Sequence, residues 1–512
     1  MRIAHFCDSH AGRPDGVSRS AALTVALLRE AGHTVDFYQP GPFWSFRPAP
    51  GLVRSLPVPG RQVRLASPWP RCRPADLVHA HTTGPLGMAG FRLAARWRVP
   101  LIVTWHTDLL AYADIYPEVP IGAAWCAAQL RLRWSLREHL ELAQPGAERQ
   151  RRLAALGQGM FARAAAAIAP SAKTAAGFAV FGPGPEICVL PTPVDSPRTS
   201  VVHTPAPLEP RVPTSEPDRT VGVSDALPDA MRIPHSRAHD AATRAERPGT
   251  ANGIAQSRSH DGDNRPQRPS TAGPIVPSGP HDADNRRGRP MTAAHNAQNE
   301  SHDAGDRSER PTYADGIAQT GSDGAVRGSG RPSRAGGVIL SVGRVTAEKN
   351  PELLLRAFAL LLTEKPEARL VLLGVRLGRA RLLRCLGALG LSRSVDVVPP
   401  VPHADVAAFF SAADVLAFCS TSDTQSLVLA EAEAHGLPAV VADPGLADRP
   451  GGGPPRFTCE AGPHELAAAL RRMLDDSSLR TRVVHNGLQA TAAYPRSVYL
   501  ERLVDLYRRH LS

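Results

Sequence analysis

Two kinds of apolar pattern alternate at both ends of this chain, and neither occurs in its middle. Short apolar runs predict buried strands: RIAHFC, DLVHAH and LIVTWH in the first part, and VILSVG, ARLVLLG, VDVVPP, VLAFCS and AVVAD in the last. Between them lie stretches with apolar residues at helical spacing. Residues 17–31 carry Leu23, Leu27 and Leu28 and close at Gly32, where a helix can end in the left-handed conformation. Strands alternating with helices predict parallel sheets, so residues 1–195 and 337–490 each read as a doubly wound α/β domain. Such sheets bind ligands at the carboxyl ends of their strands, and with two of them the natural site is the cleft between.

Residues 196–336 are a different polymer. They are rich in Arg, Pro, Asp, Gly, Ser and His and almost devoid of large apolar side chains, so they cannot bury a core. His-Asp recurs at His239, His260, His281 and His302, and Arg-Pro at Arg247, Arg268, Arg289, Arg310 and Arg331, a period of 21 residues. No unit carries an apolar stripe to stack on its neighbour, which argues against a solenoid. The segment reads as a disordered low-complexity insertion, which a loop tolerates because closure entropy grows only logarithmically with length.

Charge and cysteine content narrow the function classes. Lys and Arg exceed Asp and Glu by 8 in residues 1–195, by 1 in 196–336 and by 2 in 337–512, within a total of +11. The basic first domain points to an anionic partner, such as a lipid surface or a phosphorylated acceptor. No nucleic-acid motif accompanies it. Seven scattered cysteines without a CxxC pair offer neither a disulfide framework nor a zinc site. No apolar run reaches the roughly 18 residues of a spanning helix, and the N-terminus lacks a secretory pattern. The expectation is a reduced, cytoplasmic protein, peripheral at the inner face of the cell membrane. Residues 121–140, IGAAWCAAQLRLRWSLREHL, read either as a helix lying on an anionic bilayer or as an ordinary helix with a basic exposed face.

The strand ends carry the candidate chemistry. After VILSVG comes GRVTAEKN and then a helix, PELLLRAFALLL. Arg344 and Lys349, five residues apart at a strand-to-helix turn, can clamp a pyrophosphate, with the helix N-terminus adding partial positive charge. The turn is not a Walker loop, because GxxxxGK[ST] is absent. After VLAFCS the chain reads SDTQSLVLAEAEAHGLPAVVAD, which places Asp423 before a helix and Glu431 two turns into it. The first can accept sugar hydroxyls and the second ribose hydroxyls.

These residues resemble the donor domain of the family 4 retaining glycosyltransferases, which have the two-domain GT-B fold. That family pairs a GR…K turn with an E-x7-E motif, and here GRVTAEK and D-x7-EAEAHGLPAVV stand in those places. Asp423 replaces the usual Glu, and Ser426 the usual Gly. The first half is similar to the same family in DGVSR, DLVHAH and LIVTWHTDLLAYADIY. AAAAIAPSAKTAAGF and ICVLPTPVDS agree too, with Pro193 where Gly is usual.

The resemblance implies a catalytic set of His106, Arg344, Lys349 and Asp423, with His106 positioning charge rather than acting as a nucleophile. It implies donor contacts from Gly16, Gly343, Arg344, Lys349, Asp423, Ser426, Leu427, Val428 and Glu431. It also implies no metal cofactor, because the two cations stabilise the leaving phosphate, and a closing helix in 491–512, with Val498, Leu500, Leu503, Val504 and Leu506 inward, that returns to the first domain. Expected partners are a nucleotide sugar, GDP-mannose or UDP-glucose, and a lipid or glycan acceptor. Two other readings stay open: a non-catalytic GT-B scaffold, and a nucleotide-sugar epimerase or hydrolase.

Overall fold

The computed structural model describes residues 1–10, 15–41, 51–58, 64–194, 336–376 and 378–511. Apart from Gly336, the expected insertion at 196–336 lies outside the described residues. In the first half, β1 (Arg2–Phe6), β2 (Thr34–Gly41), β3 (Leu52–Pro57), β4 (Arg64–Ala66), β5 (Leu77–Ala80), β6 (Leu101–Thr104), β7 (Ala166–Ala169) and β8 (Glu186–Val189) form one sheet in the order β4-β3-β2-β1-β5-β6-β7-β8. All neighbours are parallel except β3 with β4. In the second half, β9 (Val338–Val342), β10 (Arg369–Leu373), β11 (Val395–Val398), β12 (Val415–Phe418) and β13 (Ala439–Val441) form a wholly parallel sheet in the order β11-β10-β9-β12-β13. Each order reverses direction once, between β1 and β5 and between β9 and β12. Those are the crevices where doubly wound sheets bind ligands.

Both halves belong to one compact unit, and the C-terminal helix Arg496–Leu511 shows why. Tyr499, Leu503, Leu506 and Tyr507 pack against Ile3, Leu28, Leu77 and Ile102, so the core of the first sheet is closed by residues from the far end of the chain. Each large side chain so buried stabilises by about 1.5–3 kcal/mol. The apolar stripe differs from the sequence expectation. Val498 and Leu500 are only partly buried, while Tyr499 and Tyr507 are fully interior because they share the 3.6-residue face of Leu503. Their hydroxyls are satisfied by Thr24 at 2.7 Å and His79 at 2.5 Å.

The stretch 121–140 is not one helix. Helix Glu118–Gln129 stops, Arg131 and Arg133 take positive φ of 53° and 55°, and a new helix Leu136–Leu140 starts behind a Ser135–Glu138 capping box. Ile121 on the first helix and Leu136 and Leu140 on the second face outward and are among the most exposed large apolar residues described. Among the described residues no helix is long and apolar enough to cross a membrane, and all seven cysteines are free.

Candidate active site

The turn after β9 is built as its residues dictate. Gly343 takes φ of 142°, a conformation side chains avoid. Asn350 then adopts the left-handed region and its side chain accepts the Leu353 N–H at 3.3 Å, capping helix Pro351–Glu364. Between them Glu348 is buried. It pairs with Arg344 at 3.3 Å and accepts the Tyr116 hydroxyl at 2.5 Å from the first half. Its own carbonyl accepts Ser420 at 2.7 Å. Glu348 therefore aims Arg344, a role that sequence reasoning missed although GRVTAEK contains it four residues on from Arg344. Gly343, Arg344, Lys349, Ser420 and Val428 line one recess at the switch point of the sheet.

Lys349 and Asp423, both expected to meet the donor, pair with each other at 2.6 Å. Helix Leu427–Ala434 starts just beyond, behind Ser426 at φ 59°. That backbone favours glycine, which explains physically why a Gly suits this place and why Ser sits there under strain. The buried Glu431 carboxylate accepts Arg19 from the first half and His403 Nε2 at 2.9 Å. Burial alone would raise its pKa, but the hydrogen bonds from His403 and Arg19 outweigh burial and hold it below the usual carboxylate range. Arg19 projects from helix Gly16–Glu30, which Asp15 caps by accepting the Ser18 N–H at 2.7 Å. Gly16 faces Leu427; a Cβ there would lie 3.9 Å from the leucine methyl.

The loop carrying Asp423 is fastened to the first half on both sides. Thr424 donates to the His106 carbonyl at 3.1 Å, and its own carbonyl accepts Ser171 and Thr174. Gln425 makes two hydrogen bonds with the Thr192 backbone, at 2.9 and 2.7 Å. His106 is thus brought beside the loop of Asp423. Burial pushes its pKa down to about 4, a drop that Asp15 partly opposes, so its imidazole is neutral. Helix Leu109–Ile115, capped by Asp108, adds Tyr112. Its phenol pKa is raised by burial and by the nearby charges of Asp423 and Glu348. Of the expected residues, Gly343, Arg344, Lys349 and Val428 share one recess, Asp423 is tied to it through Lys349, and Gly16, His106, Leu427 and Glu431 lie at contacts between the two halves, whereas Ser426 lines a different recess; Arg19, Tyr112, Tyr116, Glu348 and His403 join them. The two cations and a helix N-terminus suit a diphosphate; the surrounding carboxylates suit hydroxyls.

The family model described as Glycosyltransferase Family 4 matches residues 14–198, and that described as Glycosyl transferases group 1 matches residues 330–490. The D-inositol 3-phosphate glycosyltransferase of Kineococcus radiotolerans is 33% identical over 191 residues, 34% of this chain and 44% of that protein. The enzyme of the same name from Thermobispora bispora is 34% identical over 190 residues, 33% and 44%. The chain thus spans less than half the length of the curated relatives it matches. Sucrose-phosphate synthase from Thermosynechococcus elongatus superposes with a TM-score of 0.52 at 15% identity, covering 99% of this chain and 98% of that one. HepE of Anabaena in complex with UDP and glucose does so with 0.51 at 13%, covering 99% and 100%. These likenesses concern the fold, which is GT-B.

Proposed function

The chain belongs to the family 4, group 1 glycosyltransferases, and from that premise we propose that it moves a hexose, mannose or glucose, from a nucleoside diphosphate sugar to a phosphate-bearing acceptor with retention of configuration. The carrying observation is the recess at the head of helix Pro351–Glu364, where Gly343, Arg344 and Lys349 line the wall, with Glu431 on the neighbouring helix Leu427–Ala434. In this reading the incoming diphosphate takes Lys349 from Asp423, freeing that carboxylate for sugar hydroxyls. Arg344, held by Glu348, meets the charge that develops on the leaving phosphate. Neutral His106 orients the sugar without adding a charge of its own. The two cations replace a metal, so activity is expected to survive EDTA; its loss on chelation would count against this mechanism.

The acceptor class rests on the basic first domain and on the relatives, whose name specifies D-inositol 3-phosphate. The exposed Ile121, Leu136 and Leu140 with Arg137 support a lipid-borne phosphate at an anionic membrane surface. A thermal-shift panel of GDP-mannose, UDP-glucose, UDP-GlcNAc and their free nucleotides tests the donor, repeated with Glu431→Ala. A shift with one nucleotide class that disappears in the variant is expected; no shift with any of them refutes donor binding. The Lys349–Asp423 pair also favours a second reading, a scaffold that binds nucleotide sugar without transfer. Donor binding with no hydrolysis or transfer would establish it.

A further inference from the structure

Four histidines cluster in the first half, three of them in a line. His5 on β1 and His79 on β5 are register partners, and His81 lies two residues beyond His79 on the same face. His5 Nδ1 and His81 Nε2 are 2.9 Å apart, and His81 Nδ1 and His106 Nε2 are 3.3 Å apart. The rings along this line are stacked, with centroids 5.2 and 5.5 Å apart. His79 is a side branch, with Nδ1 on the Tyr507 hydroxyl at 2.5 Å and Nε2 on Thr104 at 2.6 Å. At the inner end His5 Nε2 is buried without a hydrogen-bond partner among the described residues.

We propose that His81 and His5 are positioning residues that fix the tautomer of His106, leaving it with its proton on Nδ1. Burial keeps all four imidazoles neutral, so each has one N–H to place, and the line can run in only two directions. In one, His5 Nδ1–H donates to His81 Nε2, and His81 Nδ1–H donates to His106 Nε2. His106 then carries its N–H on Nδ1, the nitrogen that His81 does not engage. In the other, every proton is reversed and His5 must hold an N–H at Nε2, which no acceptor among the described residues meets. Orphaned buried donors are rarer than under-used acceptors, and each costs its full desolvation. The first direction therefore prevails. The hydrogen bond at one ring nitrogen decides what the other presents to a ligand, so this line makes His106 a donor at Nδ1.

His5, His79 and His81 also have ring nitrogens within 4.8 Å of one another, a grouping that could hold a metal. Two observations favour the proton line. The 2.9 Å between His5 and His81 is shorter than the roughly 3.3 Å separating two nitrogens on one tetrahedral zinc. Both nitrogens of His79 are already engaged.

The consequence for sugar transfer rests on the proposed function; the tautomer itself does not, and the experiment separates them. Nitrogen-15 spectra of histidine-labelled full-length protein, with His106 assigned by its loss in His106→Gln, report which ring nitrogen is protonated without any turnover. The expected result is Nδ1–H in the parent and a shift toward Nε2–H in His81→Phe, which keeps the ring and removes its nitrogens. In transfer assays His81→Phe is expected to lower kcat about ten-fold while the donor KM stays within about two-fold. Nε2–H in the parent overturns the proposal, as does an unchanged tautomer in His81→Phe or stoichiometric zinc that His5→Phe abolishes. If His81→Phe does not fold, the parent spectrum decides alone. Nδ1–H in a protein that transfers no sugar would uphold the tautomer and sink the transferase reading.

Discussion

Acid should loosen this fold well before its carboxylates titrate. His5, His79 and His81 are almost wholly buried and stay neutral far below their usual pKa, and His106 titrates only near 4. Desolvation is the main cause for all four; charge from Arg29 adds to it at His5, and Asp15 opposes it at His106. In the unfolded chain each takes up a proton near pH 6.5. The unfolded state therefore binds more protons below that pH, so stability is full above about 6.5 and falls as the pH drops. One unit lower, at pH 5.5, each histidine costs a little over 1 kcal/mol and the four together about 5 kcal/mol. For a chain of this size that corresponds to roughly 5–10 °C in Tm. Calorimetry at pH 7.5, 6.5 and 5.5 and constant ionic strength would measure it. Because the cause is desolvation, the drop should persist in 0.5 M KCl, where repulsion arising from the net charge of +11 would be screened. Replacing one member, His5→Phe, should shrink it by about a quarter. Equal Tm at pH 7.5 and 5.5, or a drop that salt removes, would refute the reasoning.

Other perturbations probe separate parts of the molecule. Glu433→Gln leaves the buried guanidinium groups of Arg449 and Arg456 without their shared carboxylate, both now 2.9 Å away, and should cost about 3–5 kcal/mol in urea unfolding; a loss below 1 kcal/mol would mean that water reaches the pair. Ser426→Gly should leave stability within about 1 kcal/mol, because relief at φ 59° is offset by the freer unfolded chain, whereas Ser426→Val should lose about 2 kcal/mol. Lys349→Met removes a charge-assisted contact of about 1.5–3 kcal/mol and should weaken the responsive nucleotide sugar at least ten-fold in calorimetric titration. Leu136→Glu with Leu140→Glu should abolish flotation with vesicles of anionic phospholipid while leaving donor binding intact.

The parts legible in the sequence are those set by neighbours along the chain. Strands such as VILSVG and VLAFCS could be read because their positions are almost all apolar and mostly buried on both faces, and the Gly343–Asn350 turn because it joins a strand to a capped helix. Contacts between the halves were another matter. Arg19 is an ordinary charge on a helix until the fold sets it on Glu431, 412 positions away. Tyr116 gains its role only by reaching Glu348. Residues 121–140 show the opposite failure. Their helical spacing was genuine, but spacing does not show where arginines will accept a left-handed backbone, and two of them break the helix there. His79 and His81 were visible within DLVHAH, but their partners were not, because register alone brings His5 beside them and the C-terminal helix alone delivers Tyr507. Because the same helix closes the core of the first sheet, its removal would expose that core and leave the His79 Nδ1 without a partner in a single step. The end of the chain is thereby tied both to folding of the first half and to its cluster of histidines.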